Sequence, residues 1–238
     1  MNILVAGFAY NERPYIADMV KYYRKQGCSL FIIDNFSTDG TYEWLKANNV
    51  PTVRVDTNDS FLLTKLNEEL TKNVHAIHPD WVVYVGIDIR YFFNGTIKEE
   101  IEKAEKQKCN VIEVNHFTAC NTGEELILPL HKHFFHMKEG NTLKMIAKFD
   151  PKYFEFIPDG IKIKNEKVHK SNGVLINYGN CKPKKERNET YQRRKKAWDL
   201  GEHRGHGIHY KPGSEKNWLW SKEELIDIRT TSFIDLIL

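Results

Sequence analysis

Three short stretches carry side chains suited to chemistry on a small polar ligand: Tyr10-Asn11-Glu12, Asp34-Asn35 and Asp88-Ile89-Arg90. Each lies at or just past the end of an apolar run of strand length. A short carboxylate or amide in that place can accept a hydrogen bond from a base N–H or a ribose hydroxyl. Asp34 and Asn35 are placed for that task, and Tyr10 offers a ring that can lie against a base. A carboxylate such as Asp88 can hold a divalent cation, and a guanidinium such as Arg90 can pair with a diphosphate directly. The plainer alternative is that Asp34, Ser37 and Asp39 only form Asx turns and cap the next helix.

The elements that must position these groups alternate along the first half of the chain. Ile3 to Phe8 reads as a strand. Asn11-Glu12-Arg13-Pro14 then forms a turn with proline suited to a first helical turn. Ile16, Met19, Val20 and Tyr23 recur at i, i+3, i+4 and i+7, which predicts a helix with one apolar face, stopped at Gly27. Leu30 to Ile33 is a second strand, and Asp39-Gly40-Thr41 opens a helix through Leu45. Thr52 to Val55 is a weak third strand. Phe61 to Val74 has a helical stripe of Leu62, Leu66 and Leu70, and Trp81 to Val85 is a fourth strand. Thr96 to Lys106 is a charged helix, followed by a strand from Val111 to Val114. This order predicts an α/β fold with a mostly parallel, open sheet flanked by helices. Ligands of such sheets sit outside the carboxyl ends of the strands, where the three stretches fall. From there to about Tyr178 the pattern is irregular, so the remainder is expected to wrap the sheet within a single domain.

Composition narrows the function classes. With 238 residues, 41% hydrophobic and 28% charged, the chain reads as globular rather than disordered. Lys plus Arg is 35 and Asp plus Glu is 32, a net of +3. That balance does not predict nucleic-acid binding, which needs a concentrated basic surface. No apolar run approaches the roughly 20 residues of a membrane span, and the start reads as a strand rather than a signal peptide. Cys28, Cys109, Cys120 and Cys181 stand singly, as expected of reduced cytosolic thiols. The expected location is therefore the cytoplasm.

Ala9-Tyr10-Asn11-Glu12, a helix, then Phe31-Ile32-Ile33-Asp34-Asn35-Phe36-Ser37-Thr38-Asp39-Gly40-Thr41 resembles family 2-like glycosyltransferases of the GT-A fold. Their signature joins an N-E turn after the first strand to a D-[DN]-x-S-x-D-G-T turn after the second. Trp81 to Val85 leads to Asp88-Ile89-Arg90-Tyr91-Phe92, where that family usually carries D-x-D followed by E-F. Val111 to Val114, Phe117 and Thr122-Gly123 look like the strand and loop beyond. The resemblance covers residues 1–125, a Rossmann-like half that would bind a nucleotide sugar, and leaves 126–238 as the acceptor side with basic C-terminal helices. It implies transfer of a sugar from a nucleotide-sugar donor to a hydroxyl of a glycan or lipid-linked acceptor, with inversion, as in polysaccharide biosynthesis. Tyr10, Asn11, Glu12, Asp34 and Asn35 would line the nucleoside pocket, with Asp88 and Arg90 at the diphosphate.

The departure from the family lies at Arg90, which stands where the second Asp belongs, and at Tyr91, which replaces Glu. Three readings follow. Asp88 can hold Mn²⁺ or Mg²⁺ with a late histidine, His206 or His209. Arg90 can serve as a fixed cation, making transfer independent of metal. Or the chain binds nucleotide or glycan as a non-catalytic partner subunit. A nucleotidyltransferase would need a Gly-rich phosphate loop, which Gly7-Phe8-Ala9-Tyr10-Asn11 does not supply. Inverting transfer needs a carboxylate base on the acceptor side. Asp159, in a Pro-Asp-Gly turn, is the first choice and Asp150 the second, although an exposed turn explains Asp159 equally well. His131, His133 and His136 lack a carboxylate or cysteine to complete a metal set. The basic segment 182–196 has three readings of its own: a solvated helix face, a patch contacting the inner face of a membrane, or cations that reach the diphosphate.

Overall fold

The computed structural model describes residues 1–120, 136–157, 160–202 and 225–227. Strand β1 (Ile3–Ala9) lies between β2 (Ser29–Asp34) and β4 (Trp81–Gly86), and β3 (Thr52–Arg54) extends the sheet beyond β2. These four strands are mutually parallel. Their connections are the helices α1 (Arg13–Lys25), α2 (Thr41–Ala47) and α3 (Leu63–Ile77). Beyond β4 the sheet turns antiparallel, because β8 (Leu143–Lys148) inserts between β4 and β6 (Val111–Ala119). The architecture is mixed α/β, with its parallel character concentrated in the first four strands.

Alternation along β1 explains how both faces are covered. Ile3 and Val5 pack on one side with Ile16, Met19, Val20 and Tyr23 of α1. Leu4 and Ala6 face the other side with Leu66, Leu70 and Val74 of α3. The helical spacing selects all of these helix residues but Val74, whereas Leu62 of the expected stripe precedes α3 and is only partly buried; each fully buried aliphatic side chain contributes about 1.5–3 kcal/mol. The helix expected from Thr96 is α4 (Ile97–Lys106). Thr96 and Glu99 close a reciprocal capping box at its start.

The stretch expected to be irregular is more ordered than the sequence implies. Besides β7 (His136–Glu139) and β8 it holds the hairpin β9 (Glu155–Ile157) and β10 (Gly160–Lys162) and the long strand β11 (Val168–Asn177). Strand β11 runs parallel to β6 and antiparallel to β5 (Ile89–Phe92). Its pattern escapes detection because the register shifts between Lys170 and Val174, and His169 and Ser171 are buried on Glu100. Two-residue periodicity cannot be read through such a bulge. A 3₁₀ turn (Gly179–Cys181) then leads into α5 (Lys184–Asp199). The small strand β12 (Ile226–Asp227) pairs with β7.

Candidate functional site

Two turns at the carboxyl ends of β1 and β2 are tied together by the residues of the D-N-x-S-x-D-G-T segment. Three consecutive backbone N–H groups of the first turn donate to side chains of the second. Asn11 donates to Ser37 Oγ, Glu12 to Thr41 Oγ1 and Arg13 to Asp39 Oδ2, each at 2.9 Å. In return Thr38 N donates to Asn11 Oδ1 at 2.9 Å. Asn11 itself takes a left-handed backbone, φ +50°. Ser37, Asp39, Thr41 and the Asn11 side chain therefore act as builders of the site, which is the plainer alternative for Ser37 and Asp39.

Asp34 has one carboxylate oxygen engaged and one free of partners. One oxygen, Oδ2, accepts from Ser37 N at 3.0 Å and from Arg54 Nε at 3.1 Å. The other, Oδ1, is buried and has no hydrogen-bond partner. A buried acceptor left unpaired is costly. Arg54 is a residue that sequence reasoning missed. It is the β3 neighbour of Asp34 in the ladder, and its guanidinium lies 4.4 Å from the Phe36 ring and 4.7 Å from the Tyr42 ring. Phe36 keeps a left-handed backbone (φ +57°) and is 49% exposed, an unusual combination for a bulky residue. Asn35 is buried and internally bonded, to Ser60 O at 3.2 Å and from Thr57 Oγ1 at 2.8 Å. The Tyr10 hydroxyl donates to Asp59 Oδ1 at 3.0 Å, and its ring is covered by Arg193 of α5.

The third stretch meets the first through a residue from the far end of the chain. Lys182, just before α5, reaches 2.5 Å from Glu12 Oε1 and 3.3 Å from Asp88 Oδ2. The Asp88 carboxylate lies between Gly86 and Gly179, where a Cβ at either glycine would stand 2.8 Å from one of its oxygens. Burial pushes the Asp88 pKa up, but Lys182, with Arg194 adding to the effect, holds it below the usual carboxylate range. Burial also works against the charge on Lys182, yet Asp88 and Glu12 outweigh it and raise the ammonium's pKa, so it stays protonated. Glu12 is pushed up to about 7 by burial, with Asp88 adding to the rise and Lys182 opposing it. Its Oε2 is buried without a partner. Nearby, Tyr15 donates to Glu186 Oε2 at 2.8 Å, and the Lys182 ammonium lies 5.1 Å from the Tyr15 ring centroid.

The basic segment is therefore not a simple solvated face. Lys182, Arg187 and Arg193 are each 7% exposed. Arg193 also donates to Ser60 O at 2.8 Å, and Lys196 reaches Asn58 O at 2.5 Å. Helix α5 thus lies across the loop at residues 57–61, over the carboxyl ends of β1 and β2. Its low amphipathic signal hid this, because the buried groups are cations.

Other expected residues fall elsewhere. Arg90 is fully buried, and its guanidinium binds Asp18 Oδ2 at 2.7 Å and the carbonyl oxygens of Ile87 and Ile89 at 2.8 Å. That engagement makes it a structural cation and argues against a diphosphate contact. Asp150 lies past Lys148, which pairs with Trp81 at the amino end of β4. Asp88 lies beyond the other end of that six-residue strand, so at about 3.3 Å per residue the two are separated by roughly 20 Å. Asp150 instead accepts from Lys152 N at 2.9 Å in a turn, a placement that sets it apart from the carboxyl ends of β1, β2 and β4. Asp159, His206 and His209 lie outside the described residues, as do His131 and His133. Among the described residues no three His, Cys, Asp or Glu side chains are grouped to hold a metal ion. None of the described helices is long and apolar enough to cross a membrane. A cavity of about 540 Å³ lined by His75, Tyr153, Phe154 and Lys164 lies toward the amino ends of the strands, away from these groups.

Glu12 gives the site a pH signature. Its carboxyl rises from an ordinary value near 4.5 to about 7 on folding, so the native state binds the proton more tightly. The associated stability is present below pH ~4.5 and is lost as pH rises through about 7, at up to about 1.4 kcal/mol per pH unit. The charged or titratable groups facing it are Lys182, Asp88, Glu186 and Tyr15. Urea unfolding at pH 5.5 and 8.5 should show this decline in the wild type and a flatter profile in Glu12→Gln. An unchanged slope in the variant would assign the decline to another group.

No family model matches the chain, and no curated protein matches its sequence. Among solved structures, residues 1–349 of S. aureus TarS in complex with UDP are 19% identical, with 56% of this chain and 40% of that chain covered and a TM-score of 0.40. The same segment in complex with UDP-GlcNAc gives 18% identity, coverage of 56% and 39%, and a TM-score of 0.39. A further structure of that segment gives 13% identity, coverage of 83% and 64%, and a TM-score of 0.46. The chain spans less than two thirds of the length of these structures.

Proposed function

We propose that this protein transfers a sugar from a nucleotide-sugar donor to a hydroxyl of a glycan or lipid-linked acceptor, with inversion at the anomeric carbon. The observation that carries this reading is the Asp34 carboxylate at the carboxyl end of β2. One of its oxygens is fixed by Ser37 and Arg54, and the other is buried and unpaired. An N–H of a nucleobase or a hydroxyl of ribose would satisfy that oxygen. Tyr10 and Glu12 follow the carboxyl end of the neighbouring strand β1, and Asp88 follows that of β4, at the edge where an open α/β sheet takes its ligand. In the reaction the acceptor oxygen bonds to the anomeric carbon as the bond from that carbon to the diphosphate oxygen breaks. The electron pair leaves with the diphosphate, and a carboxylate takes the acceptor proton. Asp159 is proposed for that base.

Thermal unfolding with a panel of nucleosides, nucleoside diphosphates and nucleotide sugars tests the reading. A ligand at 100 times its dissociation constant adds about 2.7 kcal/mol of stability. Asp34→Ala should weaken the effective ligand tenfold or more, since a hydrogen bond to a charged group contributes about 1.5–3 kcal/mol. Release of nucleoside diphosphate from a donor, with formation of a glycosylated acceptor, separates an enzyme from a binding subunit. If no nucleotide raises the melting temperature, the proposal fails.

A further inference from the structure

We infer that the Lys182 ammonium is the resident counter-ion for the donor's diphosphate, standing where a divalent cation would otherwise sit between Glu12 and Asp88. The inference rests on the nucleotide-sugar reading and goes beyond it by assigning the group that meets the leaving diphosphate.

Arg90 stands where the D-x-D pattern has its second carboxylate. The tertiary structure brings a different second carboxylate, Glu12, to Asp88, but it brings Lys182 with it. At 2.5 Å from Glu12 Oε1 and 3.3 Å from Asp88 Oδ2, the ammonium fills the position that a cation held by both carboxylates would take. An ion seated there would have to displace a buried, protonated lysine, leaving that charge without partners at a cost of several kcal/mol. The residues present therefore fit an ammonium better than a divalent metal.

Charge balance leads to the same assignment. With its proton on, Glu12 is neutral, so Asp88 and Lys182 sum to zero. Two ionised carboxylates with a divalent ion would carry the same sum. An ammonium has three N–H donors and no acceptor. Two are accounted for by Glu12 and Asp88, and the third can donate to a phosphate oxygen. Gly86 and Gly179 complete the cradle, since a side chain at either would displace the Asp88 carboxylate that orients the ammonium. Proline at 183 supports the placement by holding Lys182 extended (ψ +154°) at the entry to α5.

Calorimetric binding of nucleosides and their diphosphates, with EDTA or with Mn²⁺, to the wild type, Lys182→Met and Lys182→Arg tests the assignment. Wild-type affinity for the diphosphate should change by less than about threefold between EDTA and Mn²⁺. Lys182→Met should weaken diphosphate binding about 30-fold or more while leaving nucleoside binding within about threefold. Lys182→Arg should keep diphosphate binding in EDTA closer to wild type than Lys182→Met does. A wild type that loses tenfold or more in EDTA and regains it with Mn²⁺ would overturn the inference, and that arm needs no variant to fold. So would a folded Lys182→Met protein that binds diphosphate like the wild type. In both cases the nucleotide reading survives, because nucleoside binding persists. Failure of every nucleoside and diphosphate to bind the wild type would overturn both.

Discussion

Arg90→Asp is expected to destroy the fold rather than to probe diphosphate chemistry. The Arg90 guanidinium is fully buried, with Asp18 at 2.7 Å and two backbone carbonyls at 2.8 Å. An aspartate there would face Asp18 with a like charge and strip the Ile87 and Ile89 carbonyls of their donor. Breaking a buried pair typically costs about 3–5 kcal/mol, because the survivor keeps its desolvation penalty. That is a large part of the 5–15 kcal/mol available to a typical domain. Asp18→Asn should be similarly severe, since it leaves the Arg90 charge buried with amide and carbonyl dipoles alone. Arg90→Met should be milder, because the remaining Asp18 side chain is 15% exposed and can recruit water. Urea midpoints for the three variants give the order. An Arg90→Asp protein within about 1 kcal/mol of the wild type would show that the pair contributes nothing to the fold.

Gly7→Ala should be the most damaging single-methyl addition. A Cβ at Gly7 would lie 2.0 Å from the backbone oxygen of Val85 in the adjoining strand. Gly7 is hemmed in by β2 on one side and β4 on the other, opposite Ile32 and Val85. Neither strand can withdraw without breaking parallel pairing and shifting the turns that carry Asp34 and Asp88. Overpacking in a core costs about 1–3 kcal/mol and sometimes more, and a clash with backbone belongs at the upper end. Gly27→Ala supplies the comparison. There a methyl group meets nothing within 4 Å, and the penalty comes from the left-handed backbone, φ +77°, at about 1–2 kcal/mol. Equal losses in the two variants would remove the close approach of β1 and β4 as the cause.

Much of the fold is legible in the sequence. The spacing of Ile16, Met19, Val20 and Tyr23 selects the buried face of α1, and Leu66 and Leu70 select that of α3. Both depend on local periodicity, which tertiary contacts only confirm. The long strand β11 was not legible, because its polar residues serve a buried Glu100 and its register shifts. The turns around Asn11 and Asp39 were legible as turns. That three backbone donors of one would be taken by side chains of the other was not.

By itself the sequence determined which residues stand at the carboxyl ends of β1, β2 and β4, because strand endings follow from apolar runs and turn-forming residues. Asp34, Glu12 and Asp88 are there for that reason. Only the tertiary structure decided what each carboxylate faces. Arg90, two positions from Asp88, turns into the core toward Asp18, while Lys182, 170 positions from Glu12, arrives beside it. A cation's partner depends on which elements pack across the sheet, and no periodicity along the chain encodes a contact between the first turn and the approach to the last described helix.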